Sequence, residues 1–189
     1  MIVFIVRKSE HMFEKVNLTP LGIQILTFLA RHPEQEFYMR EIAQSIHKSV
    51  GGTHKVLKSL QTMNFVVEKK SGKNTYYKVN TTNPSVKNFK IFMTTTELNP
   101  LINDLKNNSE KIILFGSCSV GDDTAESDID LFVLSHENEK VKSYLNKKQS
   151  GRTIQAVVVT AVELVKLKEH DKAFYQEINK GITLWEAQK

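Results

Sequence analysis

The sequence predicts an α+β chain in two parts, a small helical domain closed by a β-hairpin and then an α/β domain with a mixed sheet. Three observations predict it. Between about residues 17 and 80, three segments of helical period precede two of strand period; the charge is divided unevenly; and further on, apolar runs bracket a Gly-Ser turn and a D-x-D pair. Residues 1–80 carry 12 Lys and Arg against 6 Asp and Glu, whereas residues 81–189 carry 14 against 15. The whole +5 excess lies in the first part, which suits a polyanion-binding module joined to something with another task. The expected division is 1–80, a connector over 81–109, and 110–189.

Composition excludes several classes. With Cys118 as the only cysteine no intramolecular disulfide can form, so a reducing, cytoplasmic setting is expected. The apolar opening Met1 to Val6 is too short to span a bilayer, and Arg7 and Lys8 follow it instead of preceding it, so neither a membrane anchor nor a signal peptide is expected. An edge strand or a loosely attached tail is the expectation there.

The first helix starts at Thr19-Pro20, with Thr as N-cap and Pro at the first helical position. Leu21, Ile25, Leu26, Phe28 and Leu29 follow at helical spacing, and His32-Pro33 ends it. A second helix is predicted from Met39 to about Ile46, burying Ile42, Ala43 and Ile46. The third runs from about Gly51 to Met63, with Thr53, Val56, Leu57 and Leu60 inside and His54, Lys55 and Lys58 outside. After Asn64 the period becomes strand-like. Phe65 to Lys70 and Asn74 to Val79 are β-rich runs, and Ser71-Gly72-Lys73 between them reads as a hairpin turn.

This order, with Leu57, Leu60 and Asn64-Phe65-Val66 before a Gly-Lys turn and Tyr76-Tyr77, resembles the winged helix-turn-helix of small prokaryotic transcription regulators. The resemblance implies double-stranded DNA as partner, the third helix in the major groove and the hairpin wing on the phosphate backbone. His54, Lys55 and Lys58 would sit on the recognition helix, Lys48 at its entry, and Lys69, Lys70 and Lys73 on the wing. Such contacts give affinity and salt dependence rather than sequence choice. Lysines on an amphipathic helix also form a plain solvated face, and winged helices also serve as dimerisation or docking modules. Gly51-Gly52 departs from the pattern, because glycine offers no base contact and costs roughly 1 kcal/mol against alanine in a helix. Either the turn needs left-handed backbone there, or the backbone itself approaches DNA closely.

In the connector, Asn83-Pro84 and Asn99-Pro100 are turn or helix-start signals. Val86, Phe89, Ile91, Phe92 and Leu98 could line one helix, and Leu101, Ile102 and Leu105 a second, shorter one. Such connectors often pair protomers, and a homodimer would suit a winged helix reading a two-fold site.

Lys111 to Phe115 reads as a buried strand, and Gly116 permits a tight turn that faces Ser117 and the following amides toward phosphate oxygens. Asp128 to Leu134 is the next strand. Period-2 geometry puts Asp128 and Asp130 on one face, about 7 Å apart, a spacing suited to a hard cation.

Gly116-Ser117, Gly121, Ser127 and the Asp128-x-Asp130 pair between two apolar strands resemble the nucleotidyltransferase superfamily that includes polymerase beta, and within it the minimal nucleotidyltransferases. The resemblance implies that Gly116, Ser117 and Ser127 hold a nucleoside triphosphate. Asp128 and Asp130 would be the catalytic pair and the ligands of Mg2+ or Mn2+, serving transfer of a nucleoside monophosphate to a hydroxyl with release of pyrophosphate. The acceptor could belong to a protein, including a toxin-like partner as known for some small nucleotidyltransferases. Active members usually bring a third carboxylate from a later strand. Here that strand is Thr153 to Val159, and Gln155 stands at the position; a neutral amide can offer an oxygen to a cation but cannot act as a general base, and it removes one negative charge. The basic residue often found before Gly121 is Val120. Glu163, Glu126, Asp122 and Asp123 are candidate substitutes, although the last three read more simply as a polar loop. Two functions follow: transfer, or a degenerate transferase fold that senses a nucleotide or partner and regulates transcription.

The remaining segments read as architecture. A polar-faced helix is expected over 137–148, then helices over 161–168 and 172–180 burying Val162, Leu164, Val165, Leu167, Phe174, Tyr175 and Ile178, and a last strand over 181–185. His136 and His170 read as lone surface histidines, no Cys/His cluster supports zinc, and Cys118 reads as a small residue in the phosphate turn.

Overall fold

The computed structural model describes residues 18–147 and 151–188. The expected strand or tail at Met1–Val6 lies outside them, as does Lys148, the expected end of a helix. The described chain divides into two compact units that meet between Val86 and Lys87.

In the first unit, helix α1 (Pro20–Arg31) begins where the sequence places it, the Thr19 hydroxyl accepting from the Gly22 amide at 3.1 Å. A two-residue strand β1 (Phe37–Tyr38) follows, then α2 (Met39–Ser45) and α3 (Val50–Thr62). Both later helices end in a Schellman motif with a non-glycine residue in left-handed conformation. His47 has φ 54° and the Lys48 amide donates to the Ala43 carbonyl; Asn64 has φ 58° and the Phe65 amide donates to Leu60. The wing is strand β2 (Val66–Ser71) and strand β3 (Asn74–Val79), paired antiparallel around Gly72-Lys73.

Strand β1 pairs antiparallel with β3, Phe37 opposite Tyr77 and Tyr38 opposite Tyr76, giving the sheet order β1-β3-β2. Two residues carry no readable period, so the sequence did not announce this strand. Ile25, Leu26, Leu29, Ile42, Leu57 and Leu60 close the core with Val66 and Val79. Each such side chain contributes about 1.5 to 3 kcal/mol by leaving water. Helices and sheet in this order make a winged helix-turn-helix. Gly51 and Gly52 lie inside α3 without positive φ, so the left-handed alternative for them falls away. A Cβ at Gly51 would meet nothing within 4 Å.

Helix α4 (Pro84–Leu105) runs unbroken through Pro100, where two helices were expected. Proline removes one amide donor and crowds one carbonyl, but the flanking turns hold because Leu98, Leu101 and Leu105 are all buried on the sheet. Its inward stripe is Val86, Lys90, Thr94, Leu98, Leu101 and Leu105, whereas Phe92, expected inside, is 62% exposed.

The second unit continues with strand β4 (Lys111–Phe115), the short helix α5 (Ser117–Val120), strand β5 (Ile129–Leu134) and helix α6 (Asn138–Lys147). Strand β6 (Ile154–Val159), helices α7 (Ala161–His170) and α8 (Lys172–Lys180), and strand β7 (Ile182–Glu186) complete it. The sheet order is β6-β5-β4-β7, with β5 and β6 parallel and the other neighbours antiparallel, the mixed sheet expected. One face carries Ile112, Leu114, Ile129, Leu131 and Val133 against α4 and α6; the other carries Ile113, Phe115 and Phe132 against Phe174 and Ile178 of α8 and Leu164 and Leu167 of α7. Val162 and Val165, expected to be buried, are 67% and 54% exposed. Helix α7 turns Leu164 and Leu167 to the sheet, and a 100° step per residue carries the valines outward.

Candidate functional site

Gly116 ends β4 with φ 66° and ψ −159°, a conformation that favours glycine, and a Cβ there would lie 2.3 Å from Asp130 Oδ2. The carboxylate thus rests directly on the turn. Helix α5 opens immediately after it with no side chain capping its first amides, so the Gly116-Ser117 turn can accept phosphate oxygens. Gly121 closes α5 in left-handed conformation, φ 73°, where a Cβ would strike the Lys87 carbonyl oxygen at 2.5 Å.

Asp128 stands just before β5 and Asp130 within it, on the face shared with Phe132 and hence with α7 and α8. Asp130 pairs with Phe115 on one side and Gln155 on the other. The structure therefore brings Gly116, Ser117, Asp128, Asp130 and Gln155 together, as the sequence requires. Gln155 Nε2 donates to Asp128 Oδ2 at 2.6 Å. Burial first, then the charges of Asp128 and Glu177, hold the Asp130 carboxyl above its ordinary range.

Ser127 is used differently. Its hydroxyl accepts from the Thr124 amide at 2.8 Å, closing the loop that leads into Asp128. That loop is clamped by groups the sequence reading did not connect. Asp123, 3% exposed, receives Arg152 Nη1 at 3.1 Å and Lys90 Nζ at 3.4 Å, and Lys90 also donates to the Asp123 carbonyl. Arg152 Nε donates to the Ser127 carbonyl at 3.1 Å and Nη2 to Cys118 Sγ at 2.9 Å, while the Cys118 thiol donates to the Asp128 carbonyl at 3.4 Å. Cys118 is fully buried in the sheet core, and burial pushes its thiol up despite Arg152. The available signal was Lys90, placed four residues after Val86 and four before Thr94 on the inner stripe of α4.

None of the candidate substitutes for a third carboxylate reaches the pair. Asp123 belongs to the clamp, and Asp122 is paired with Lys87 at 2.7 Å. Glu163 closes a capping box with Thr160 at the start of α7, whose hydrogen bonds hold its carboxyl below the ordinary range. Glu126 is exposed on the loop. Glu177, on α8 between the buried turns of Phe174 and Ile178, faces the same side of the sheet as Asp130, which feels its charge. Sequence reasoning missed it because only the packing of α8 brings it there.

A divalent cation fits this donor set in part. Asp128 and Asp130 offer hard oxygen ligands on one face beside an uncapped run of amides, which suits one ion with a phosphate chain. Among the described residues no group of three or more His, Cys, Asp or Glu gathers to hold a metal, and the amide beside Asp128 supplies no charge. A two-ion centre does not fit.

In the first unit His54, Lys55 and Lys58 are exposed on α3, Lys48 is exposed before it, and Lys69, Lys70 and Lys73 are exposed on the wing. Lys69 is paired with Glu36 at 2.9 Å and Lys70 with Glu68 at 4.0 Å, so part of the wing charge is locally neutralised. Between the wing and α3 lies a cleft of about 550 Å3 whose lining includes Arg40, His54, Lys73, Asn74 and Thr75 together with the acidic Glu41, with Tyr38 at its wall. The Tyr38 and Tyr76 rings lie tilted with centroids 4.2 Å apart and their hydroxyls share a hydrogen bond, which raises the Tyr38 pKa. Arg40, Asn74 and Thr75 add donors to a basic surface that the sequence reading built from His54 and lysines alone.

Residues 99–189 match the family model of polymerase beta nucleotidyltransferases, so the second unit carries a domain of that family. No curated protein matches the chain. Solved structures similar to it include MepR of Staphylococcus aureus, a transcription regulator of a multidrug efflux pump, at TM-score 0.43 and 14% identity over 73% of this chain and 82% of that one. A homodimeric winged helix-turn-helix domain from Mycobacterium bovis is similar at TM-score 0.39 and 16% identity, over 51% and 93%. A mutant of ZitR from Lactococcus lactis is similar at TM-score 0.40 and 23%, over 56% and 69%. The winged-helix assignment rests on the chain's own order of helices and sheet.

Proposed function

We propose, taking a nucleotidyltransferase domain joined to a winged helix as premise, that this protein is a DNA-binding regulator whose second unit binds a nucleoside triphosphate with a divalent cation. The carrying observation is the set on one face of the sheet: Asp128 and Asp130 beside the Gly116-Ser117 turn, with Gln155 bonded to Asp128 where a general base would be needed. Such a site supplies oxygen ligands and amide donors for Mg2+ or Mn2+ and phosphate. It leaves the acceptor hydroxyl without a proton acceptor at that position.

The first unit supplies the DNA surface. Phosphates of the duplex suit Lys55 and Lys58 on α3, Lys48 at its entry, and the cleft of Arg40, His54 and Lys73 beside the wing, while Gly51 leaves α3 bare enough for backbone approach. A two-fold operator would call for a homodimer. The test measures binding of each of the four Mg-nucleoside triphosphates by calorimetry, then DNA shift assays with and without the one that binds. Binding lost in Asp128→Ala and a nucleotide-dependent change in DNA affinity are expected. Wild type and Asp128→Ala behaving alike would sink the nucleotide reading.

One observation favours transfer as a second reading. Glu177 lies on the Asp130 face and is a carboxylate that Gln155 is not. Incubation with α-labelled triphosphates, magnesium and cell extract decides it: label on an acceptor, absent with Asp128→Ala, would make the protein a transferase.

A further inference from the structure

Resting on the nucleotide reading, we infer that the site takes a nucleoside triphosphate carrying a single divalent cation, and that Gln155 is the residue that excludes a second.

The Gln155 amide could face the carboxylates with either its NH2 or its oxygen. An ionised carboxylate has no proton to donate, so the group 2.6 Å from Asp128 Oδ2 must be the amide NH2, and the amide oxygen points elsewhere. The partially positive end of the dipole therefore occupies the β6 side of the pair. A second dication there would lose the Asp128 lone pairs already engaged and would face N–H hydrogens in place of an oxygen ligand. Asp128 and Asp130 stand two residues apart on one face at β5, so a single cation beside them offsets the repulsion of two like charges.

Ligand count agrees. Besides the phosphates of the nucleotide, Asp128 and Asp130 are the two carboxylates this strand offers a cation, and a second ion held by the protein would need a further carboxylate within reach. Among the described residues no third acidic, histidine or cysteine ligand joins the pair. Glu177 lies on α8, which packs over that same face. Register fixes the defect at one position, since Asp130 and Gln155 are direct neighbours in the parallel pairing of β5 and β6. Replacing that amide with a carboxylate would put a third acid beside the pair without moving backbone.

The ion count tests this without reference to activity. Free Mn2+ is followed by electron paramagnetic resonance while the full chain is titrated with α,β-methylene analogues of ATP, GTP, CTP and UTP in turn, each analogue alone serving as blank. One protein-associated Mn2+ per chain is expected for the wild type and two for Gln155→Asp, with Gln155→Glu measured in parallel should the shorter acid fold poorly. Two ions in the wild type would overturn the inference while leaving nucleotide binding intact, and a drop to one in Glu177→Gln would then identify the third carboxylate. Carboxylate variants that fold and still hold one ion would overturn the role of Gln155. No ion or analogue retained by any form would refute the nucleotide reading itself, a separate result.

Discussion

Gly116 has φ 66° and lies under the Asp130 carboxylate, so its missing side chain is a condition of the site. Gly116→Ala should cost about 1 to 3 kcal/mol of stability from the positive-φ, extended-ψ backbone alone. Because the new methyl must displace Asp130, nucleotide affinity should fall at least about tenfold, the equivalent of about 1.4 kcal/mol; urea unfolding and calorimetry on one preparation separate the two. Asp130 itself carries a pH signature. Its folded pKa is raised, so ionisation is harder in the folded than in the unfolded chain, and stability falls as pH rises from the unfolded value, about 3.9, through the folded one. Asp130→Asn removes that loss: its melting temperature without metal should exceed the wild type's near neutral pH, with the gap closing as the solution is acidified. A gap independent of pH would contradict the assignment. At this scale the sequence was informative where chemistry repeats in a motif, as in Gly116, Asp128 and Asp130. It was silent on Glu177, whose relevance comes from a helix folding back over the sheet.

At the level of elements, the loop into β5 is positioned by a buried cluster joining it to α4 and to Arg152, just before β6. Lys90, Asp123 and Arg152 are almost wholly removed from water, and two cations share one carboxylate. Asp123 is the carboxylate both cations share, so Asp123→Ala strands Lys90 and Arg152 and should cost roughly 3 to 5 kcal/mol in denaturant unfolding. A cost below about 1 kcal/mol would show that the cluster is looser than its geometry implies. The same helix explains a sequence-level error. Asn99-Pro100 predicts a break because proline lacks an amide, yet α4 continues, its leucines held against the sheet on both sides. Pro100→Ala should therefore stabilise the protein, by up to about 3 kcal/mol, by restoring one hydrogen bond. Val162 and Val165 teach the converse: apolar residues in a correctly expected helix need not be inside, because only one stripe of α7 meets the sheet.

For the whole molecule, the uneven charge of the sequence falls on two compact units, the first carrying the basic excess. DNA affinity should fall with salt, and Lys55→Ala/Lys58→Ala should reduce the slope of log affinity against log salt by about two, one per lost phosphate contact. An unchanged slope in a shift assay across salt concentrations would remove these lysines from the DNA surface. No described helix is long and apolar enough to cross a membrane. The sequence by itself determined the three helices and wing of the first unit, the mixed α/β character of the second, and the turn and carboxylate pair of its site. Those features are local: period, caps and turn residues act over a few positions, and a motif keeps its spacing along the chain. Only the tertiary structure decided that β1 completes the first sheet, that Gln155 donates to Asp128, that Lys90, Asp123 and Arg152 form one cluster, and that Glu177 faces Asp130. Each of these joins residues far apart in sequence through register and packing, where a one-residue slip or a rotated helix would reverse the outcome.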